Sequence, residues 1–198
     1  MSFSMGKIFY ISDLHIGHTN VIKFDGRPFS DIQEMEDTII KNWNETVTND
    51  DTVYILGDFC WLKEADWIRV LKLLNGSKVL IRGNHDLKEM SAALRRCFQD
   101  VKDYKEIKDN ERKVILCHYP IPFYKSDYAD YVYMLYGHLH ITLEEDLMQE
   151  FKQIIRERDS RGKSANRCHF YNCWLGYYGY KPVTLDEIIQ RWEGTDNA

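Results

Sequence analysis

The sequence predicts an α/β fold in which helices pack outside layers of β-sheet. Short apolar runs typical of buried strands alternate with helix-type repeats in the first half of the chain, and strand-type runs dominate the second half. No change in composition marks a domain boundary. The length of 198 residues suits one domain with a substantial core, so we expect residues 1–198 to form a single unit.

Elements of the first half follow from apolar periodicity and from helix-ending residues. Apolar side chains recur every three or four residues from Ile32 to Val47, which is the pattern of an amphipathic helix. Asn75-Gly76 ends a second helix. The predicted elements, in order, are a strand at 7–12, a helix at 32–47, a strand at 52–56, a helix at 63–74, a strand at 78–82 and a helix at 87–97.

Elements of the second half are mainly strands. Asp109-Asn110 is a turn pair between two apolar runs and predicts a hairpin. Thr184-Leu185-Asp186-Glu187 matches a capping box and predicts a C-terminal helix. The predicted elements are strands at 103–108, 112–117 and 131–136, a polar helix at 144–158, a strand at 168–175 and the helix after Thr184.

The composition indicates a cytoplasmic protein that does not enter a membrane. No apolar run reaches the roughly 18 residues that a membrane-spanning helix requires, and the N-terminus lacks the features of a secretion signal. Five scattered cysteines, an odd number, argue against a disulfide framework. The net charge of −5 argues against a strong basic surface for nucleic acid, so an anionic substrate needs a local source of positive charge.

Five predicted strands end in residues with metal-ligand chemistry. In α/β sheets, ligands bind beyond the carboxyl ends of the strands. Each motif alone has an ordinary explanation, since Asp after a strand is a common turn residue and a single His is usually structural. The joint occurrence favours a site. The residues are Asp13, His15, Asp58, Asn84, His85, His118, His138 and His140.

The types of these side chains narrow the ion and the substrate. Carboxylates, imidazoles and an amide oxygen suit manganese, iron or zinc, and no cysteine occupies a motif position. Seven candidate ligands exceed one tetrahedral site, which indicates two metals with a bridging carboxylate. The charge of two divalent ions exceeds that of two aspartates and a bridging hydroxide. The site is therefore suited to an anion such as a phosphate ester.

The motifs DLH, GD, GNHD, a single His and GHLH, in this order over residues 13–140, resemble those of the calcineurin-like metallophosphoesterase superfamily. The opening SDLHIGHTNVIKFDGRPF and the ending KPVTLDEI are similar to those of small single-domain bacterial and phage members. The resemblance implies a two-sheet β-sandwich flanked by helices, which is a four-layer αββα fold. The segments GDFCWLK and GNHD depart from the protein phosphatase pattern, and Trp61 stands where purple acid phosphatases place a tyrosine ligand.

The resemblance also implies a role for each motif residue. Asp58 would bridge two divalent ions, with Mn²⁺ as the first expectation and Fe²⁺, Zn²⁺ or Ni²⁺ as alternatives. His85 would stay off the metals and donate a proton or a hydrogen bond to the leaving oxygen or to the phosphoryl group. Asp86 would form backbone hydrogen bonds rather than take part in the chemistry. The implied ligands are Asp13, His15 and His140 for the first metal, and Asn84, His118 and His138 for the second.

Candidates for substrate contact lie near the motifs. Arg27 is expected to clamp phosphate through its guanidinium, with a surface arginine as the alternative. His18 and Asn20 border the site or have a structural role in their loop. Tyr119 stacks a nucleobase or packs its loop. The segment 144–167 is a lid, a dimer contact or a solvated helix face, and the oligomeric state is open.

Three functions remain open from the sequence. The first is metal-dependent hydrolysis of phosphate esters by a metal-bridging hydroxide, with a preference for phosphodiesters because no basic cluster specific for monoesters is evident. The second is a phosphomonoesterase that acts on nucleotides or small metabolites. The third is a metal-bound module that recognises a phosphorylated partner without turnover. Retention of His85 argues against this third function.

Overall fold

Two four-stranded sheets form the centre of the molecule. The computed structural model describes residues 6–158 and 168–194. The first sheet is parallel throughout, and the second is parallel except for its first pair of strands. The strands are β1 (Ile8–Ile11), β2 (Thr52–Ile55), β3 (Ser77–Ile81), β4 (Asp100–Lys102), β5 (Tyr104–Asp109), β6 (Arg112–Cys117), β7 (Val132–Tyr136) and β8 (Phe170–Asn172). They are ordered β1-β2-β3-β4 in the first sheet and β5-β6-β7-β8 in the second.

Helices cover the outer faces of the two sheets. Three apolar clusters hold the layers together. One packs the helices Ile32–Thr46 and Glu64–Leu73 on the first sheet, one lies between the sheets, and one packs the helix Leu143–Arg158 on the second sheet. This arrangement confirms the predicted two-sheet sandwich flanked by helices. The helices are α1 (Val21–Phe24), α2 (Ile32–Thr46), α3 (Glu64–Leu73), α4 (Ala92–Arg95), α5 (Leu143–Arg158) and α6 (Leu185–Glu193), with a short 3₁₀ helix at Leu175–Tyr178.

Parallel pairing brings the polar strand ends to one edge. Ile55 lies opposite both Ile11 and Leu80, so the segments after β1, β2 and β3 leave the first sheet together. The Asp13 N–H donates to the Gly57 carbonyl at 3.0 Å, which continues the pairing beyond the strands. In the second sheet, β6 and β7 also run in parallel and end side by side.

The predicted helix at 87–97 is much shorter in the structure. Only α4 is helical, and it begins after Ser91, whose hydroxyl accepts a hydrogen bond from the Leu94 N–H at 3.2 Å. The Arg82 guanidinium donates to the Lys88 carbonyl at 3.3 Å and holds the preceding segment as a loop. The interpretation as one long helix was therefore wrong, because a side chain that precedes the segment binds a backbone group that the helix would need.

The predicted strand at 168–175 is reduced to β8. Cys168 has a positive φ of 66°, and the chain enters the 3₁₀ helix at Leu175. The strand β4 was not predicted, because it is a three-residue edge strand whose composition is mostly polar. The predicted segment at 144–167 contains α5, and its residues 159–167 lie outside those that the structure describes.

Among residues 6–158 and 168–194, no helix is long and apolar enough to cross a membrane. All five cysteines are free thiols.

Candidate metal centre

Two groups of metal-ligand side chains meet where the strands of both sheets end. Within each group, the donor atoms lie within 4.8 Å of one another. The Asp58 Oδ2 lies 3.8 Å from His15 Nε2 and 3.6 Å from His118 Nε2, which places this carboxylate between the groups. The Asn84 Oδ1 lies 3.0 Å from His118 Nε2. One group is Asp13, His15 and His140, and the other is Asp58, His118 and His138.

All seven predicted ligands thus converge, and five of them have unusual backbone conformations. A positive φ is uncommon for residues other than glycine and costs about 1–3 kcal/mol. Such strain persists only where the surrounding structure imposes it, and it concentrates at functional sites. The five residues are Asp13 (58°), His15 (52°), Asp58 (52°), His138 (70°) and His140 (47°).

Glycines of the motifs allow the backbone to approach the carboxylates closely. A Cβ atom on Gly83 would lie 2.1 Å from Asp58 Oδ1, and one on Gly137 would lie 2.6 Å from Asp13 Oδ2. These separations are far below van der Waals contact, so no side chain fits at either position. The requirement for Gly83 is therefore space beside the Asp58 carboxylate.

Hydrogen bonds orient the imidazoles. His140 Nδ1 lies 2.8 Å from Asp25 Oδ1, and His118 Nδ1 lies 2.8 Å from the Leu56 carbonyl oxygen. A carbonyl oxygen and an ionised carboxylate only accept, so each Nδ1 carries a proton and each Nε2 is the atom that can bind a metal. The Nε2 atoms of His140 and His15 are 3.3 Å apart, a separation that suits a shared cation. These donors fit a divalent metal.

Burial and charge set the protonation of the first group. Burial lowers the pKa of His15 to about 3, so this imidazole is a neutral donor. Burial opposes the charged form of His140, but its hydrogen bonds to Asp13 and Asp25 outweigh this effect and raise its pKa to about 9. The same pairing holds the pKa of Asp13 below its usual range in spite of burial. A metal at this group competes with the His140 proton, so its affinity falls with falling pH.

Asp86 connects the two loops that carry Asp58 and His85. Its buried carboxylate accepts from the N–H groups of Asp58, Phe59 and Gly83 at 3.0, 2.8 and 2.8 Å. Burial raises the pKa of Asp86 to about 6, against the effect of these donors. The backbone role expected for Asp86 is what the structure shows.

His85 donates its N–H to Asp58 Oδ1 at 2.9 Å, and its exposed ring belongs to neither ligand group.

Arg27 does not reach the cavity at the metal centre. Its side chain is 0% exposed, and the guanidinium donates to the Asp25 carboxylate at 2.8 and 3.0 Å. It also donates to the backbone carbonyls of Leu14 and Asp13 at 3.0 Å each. The expected phosphate clamp is therefore not available in this arrangement, because the charge is paired and turned inwards. Arg27 instead holds Asp25 against His140.

The other substrate candidates occupy different places. His18 lines a cavity of about 430 Å³ together with His15, His85 and His140. Tyr119 stands at the other side of the metal centre, with its ring 4.5 Å from that of His138.

Asn20 is not among the residues that line the cavity. It is exposed at the start of α1, and its side chain makes no capping hydrogen bond there.

Two functional candidates were missed in the sequence. Asp25 orients His140, yet in the sequence it is only part of a loop with Gly26. Trp61 lines the cavity, but in the sequence it is notable only because it stands in place of a tyrosine ligand. No sequence pattern indicates the role of Asp25, because its partner His140 lies 115 positions away along the chain.

The family model for calcineurin-like phosphoesterases matches residues 6–166. This chain belongs to that family. It is therefore a metal-dependent phosphoesterase, and the two ligand groups at the strand ends agree with this activity.

Three relatives are similar to this chain, two of them over most of its length. An uncharacterized protein of Methanocaldococcus jannaschii is 36% identical over 189 residues, covering 94% of this chain and 92% of the relative. The Gene 66 protein of Mycobacterium phage L5 is 38% identical over 85 residues, covering 41% of each chain. The crystal structure of a protein of unknown function from Aquifex aeolicus superposes with a TM-score of 0.68 at 25% identity, covering 93% of this chain and 98% of the other.

Proposed function

We propose that this protein hydrolyses phosphodiesters with two divalent metal ions. The observation that carries the proposal is that Asp58, which belongs to one donor group, also lies 3.8 Å from His15 of the other group. His85 belongs to neither group, although its N–H donates to Asp58. A carboxylate between two such groups suits a bridge between cations. A histidine near the cations but outside both groups suits a proton donor.

The proposed ligands divide between two metals. Bound there, the ions would polarise phosphoryl oxygens and supply a hydroxide at neutral pH. Mn²⁺ is the proposed ion because the two sets together combine carboxylate and imidazole donors with the amide oxygen of Asn84. The sets are Asp13, His15 and His140 for one metal, and Asn84, His118 and His138 for the other, with Asp58 shared.

The protein's own groups keep this arrangement ready for substrate. Asp25 and the Leu56 carbonyl hold the protons of two imidazoles on the side away from the proposed metals. Asp86 fixes the backbone around Asp58. His85 contacts solvent, so it can recover a proton after donating one to the leaving oxygen. Such preorganisation lowers the cost of reaching the transition state.

The charges near the cavity favour a diester over a monoester. A phosphodiester carries less negative charge than a phosphomonoester at neutral pH. Among the described residues that line the cavity there is no Lys or Arg, and the Arg27 charge is paired with Asp25. The proposed metals would therefore be the main positive charge in the cavity.

We also propose a cytoplasmic location, because all five cysteines are free thiols.

A substrate panel tests this function. Purified protein with Mn²⁺ is offered bis-p-nitrophenyl phosphate and p-nitrophenyl phosphate, and we expect the higher kcat/KM for the diester. Preference for the monoester would favour the alternative phosphomonoesterase. Absence of hydrolysis with Mn²⁺, Fe²⁺, Zn²⁺ and Ni²⁺ would favour a binding module and contradict the proposal.

The variant His85→Ala tests the proton donor. It should retain both metals by elemental analysis and lose turnover by roughly 100-fold or more. Loss of metal instead would assign His85 to the ligand set.

A further inference from the structure

One wall of the cavity at the metal centre is aromatic and uncharged. Trp61 and Phe24 line it, with exposed fractions of 46% and 75%, and His18 lies between them. The proposed metal ligands His15, His138 and His140 line the same cavity. A phosphate ester in this cavity would therefore meet these ligands with its phosphoryl group and the aromatic rings with its organic group.

Stacking holds the aromatic wall in place. The rings of His18 and Trp61 are 4.3 Å apart with an angle of 14° between their planes. Phe24 meets the edge of His18 at 6.2 Å. Trp61 is thus supported on His18 while almost half of its surface remains in solvent, which leaves this ring available for a further stacking partner.

Backbone contacts explain why these two loops meet. The Trp61 N–H donates to the Ile16 carbonyl at 2.8 Å, so the loop after β2 runs beside the loop after β1. Gly17 has a positive φ of 79°, and a Cβ atom there would lie 2.1 Å from Leu62 Cγ. The glycine therefore lets the loops approach closely enough for His18 to stack on Trp61.

The position of His85 indicates which side of the phosphoryl group faces the aromatic wall. The His85 ring lies 4.5 Å from Trp61 and 6.0 Å from His15. If His85 protonates the leaving oxygen, that oxygen lies on the Trp61 side of the phosphoryl group. The organic part of the leaving alcohol then extends along Trp61, whereas Tyr119 contacts the side of His138.

We propose that Trp61, supported by His18 and Phe24, stacks a planar aromatic ring carried by the leaving alcohol, of the nucleobase type. This inference rests on the proposed phosphodiesterase function and specifies its substrate class. For a nucleoside 5′-ester, water adds a hydroxyl group to phosphorus and gives its other proton to solvent, the P–O5′ bond breaks, and the proton from His85 goes to O5′. The nucleoside leaves, and His85 regains a proton from solvent.

Two diesters with the same leaving oxygen test the proposal. Adenosine 5′-(methyl phosphate) and ribose 5-(methyl phosphate) differ only in the base. We expect the wild-type protein to release adenosine and methyl phosphate from the first. Its kcat/KM should exceed that of the second by roughly 5- to 150-fold, the range for one stacked base. Trp61→Ala should bring this ratio close to one, and Trp61→Phe should preserve most of it.

Phe24→Ala adds a test at an exposed position, where folding is not at risk, and should reduce the ratio. Phe123→Ala is the matched control, since Phe123 is 67% exposed but packs towards Phe151 on α5, and the ratio should stay unchanged. A wild-type ratio near one, release of AMP and methanol, or a ratio unaffected by Trp61→Ala would each overturn the stacking proposal. Failure to hydrolyse any diester would instead overturn the proposed function.

Discussion

Asp25 illustrates how one residue outside the predicted ligand set controls a ligand. It accepts from His140 Nδ1 at 2.8 Å and is itself held by Arg27. Carboxylates that orient a ligating histidine typically contribute 10–100-fold to metal affinity. We expect Asp25→Asn to weaken one of the two metals by about this factor, as measured by titration calorimetry with Mn²⁺.

The affinity of the other metal should be nearly unchanged in Asp25→Asn. The matched control is Asp37→Asn, because Asp37 is an exposed aspartate whose carboxylate accepts only from Gln33 among the hydrogen bonds of the described residues. Equal weakening of both metals would show that Asp25 does not act through His140.

Asp86 supports the site through the backbone. Its carboxylate accepts three N–H donors in a buried position, and alanine would leave them without acceptors. Each unsatisfied buried group costs about 1–3 kcal/mol, so Asp86→Ala should lower the free energy of unfolding by roughly 3 kcal/mol or more. Urea denaturation of the metal-free protein measures this change.

Asp103→Ala provides the comparison for Asp86. Asp103 pairs with Arg82 at the surface, with 74% of its side chain exposed. Such pairs contribute about 0–1 kcal/mol. Similar losses in the two variants would refute the structural role of Asp86.

At the scale of elements, Gly17 determines how closely two loops pack. Both Gly17 and Gly26 have positive φ, at 79° and 58°, but a Cβ atom meets Leu62 only at Gly17 and has open space at Gly26. Gly26→Ala should cost about 1 kcal/mol for the backbone conformation alone. Gly17→Ala should cost at least about 1 kcal/mol more, because Leu62 must move. Thermal unfolding of the pair measures the difference, and equal costs would contradict the close approach.

The end of α6 is attached to the second sheet by Glu193. This carboxylate accepts from His169 Nδ1 at 3.0 Å and from the Tyr171 hydroxyl. The hydrogen bond from His169 is the main cause that lowers the pKa of Glu193 to about 2, from the ordinary 4.5. Stability from a lowered carboxyl pKa is present above pH 4.5 and is lost as the pH falls towards 2.

Glu193→Gln should therefore destabilise the protein by about 1 kcal/mol at pH 6, a value reduced for partial exposure of the side chain. The difference from wild type should narrow as the pH falls below 4.5. Urea denaturation between pH 6 and pH 3 measures this difference, with the exposed Glu89→Gln as control. A difference that does not change with pH would contradict the assignment.

Apolar periodicity accounts for how well the elements were predicted. The long helix α2 and the hairpin of β5 and β6 have strong local patterns and were predicted close to their bounds. The helix at 87–97 failed because Arg82 binds a backbone carbonyl within it. Apolar periodicity does not contain such a hydrogen bond between a side chain and the backbone, which depends on where the end of β3 lies.

For the whole molecule, the metal centre joins the two sheets. Asp13 and Asp58 follow strands of the first sheet, and His118 and His138 follow strands of the second. Metals that bind these groups bind only the folded protein, so they stabilise it. At 100 times the dissociation constant, one site contributes about 2.7 kcal/mol, or a rise in Tm of about 5–10 °C for a chain of this size.

Differential scanning fluorimetry of chelator-treated protein with added Mn²⁺ tests this linkage. The rise in Tm should be much smaller in Asp58→Asn, because the carboxylate proposed to bridge the metals is altered. An unchanged Tm on adding Mn²⁺ to the wild-type protein would contradict metal binding at these groups.

The sequence by itself determined the fold class and the seven converging ligand candidates. Both follow from patterns that are local along the chain: apolar runs define strands, and polar residues directly after parallel strands must meet at one edge. Tertiary structure alone decided that Asp25 reaches His140, that Arg27 turns inwards and that Trp61 stacks on His18. These contacts join loops whose relative positions depend on the packing of the sheets and on one close approach at Gly17. No local pattern in either loop contains that information.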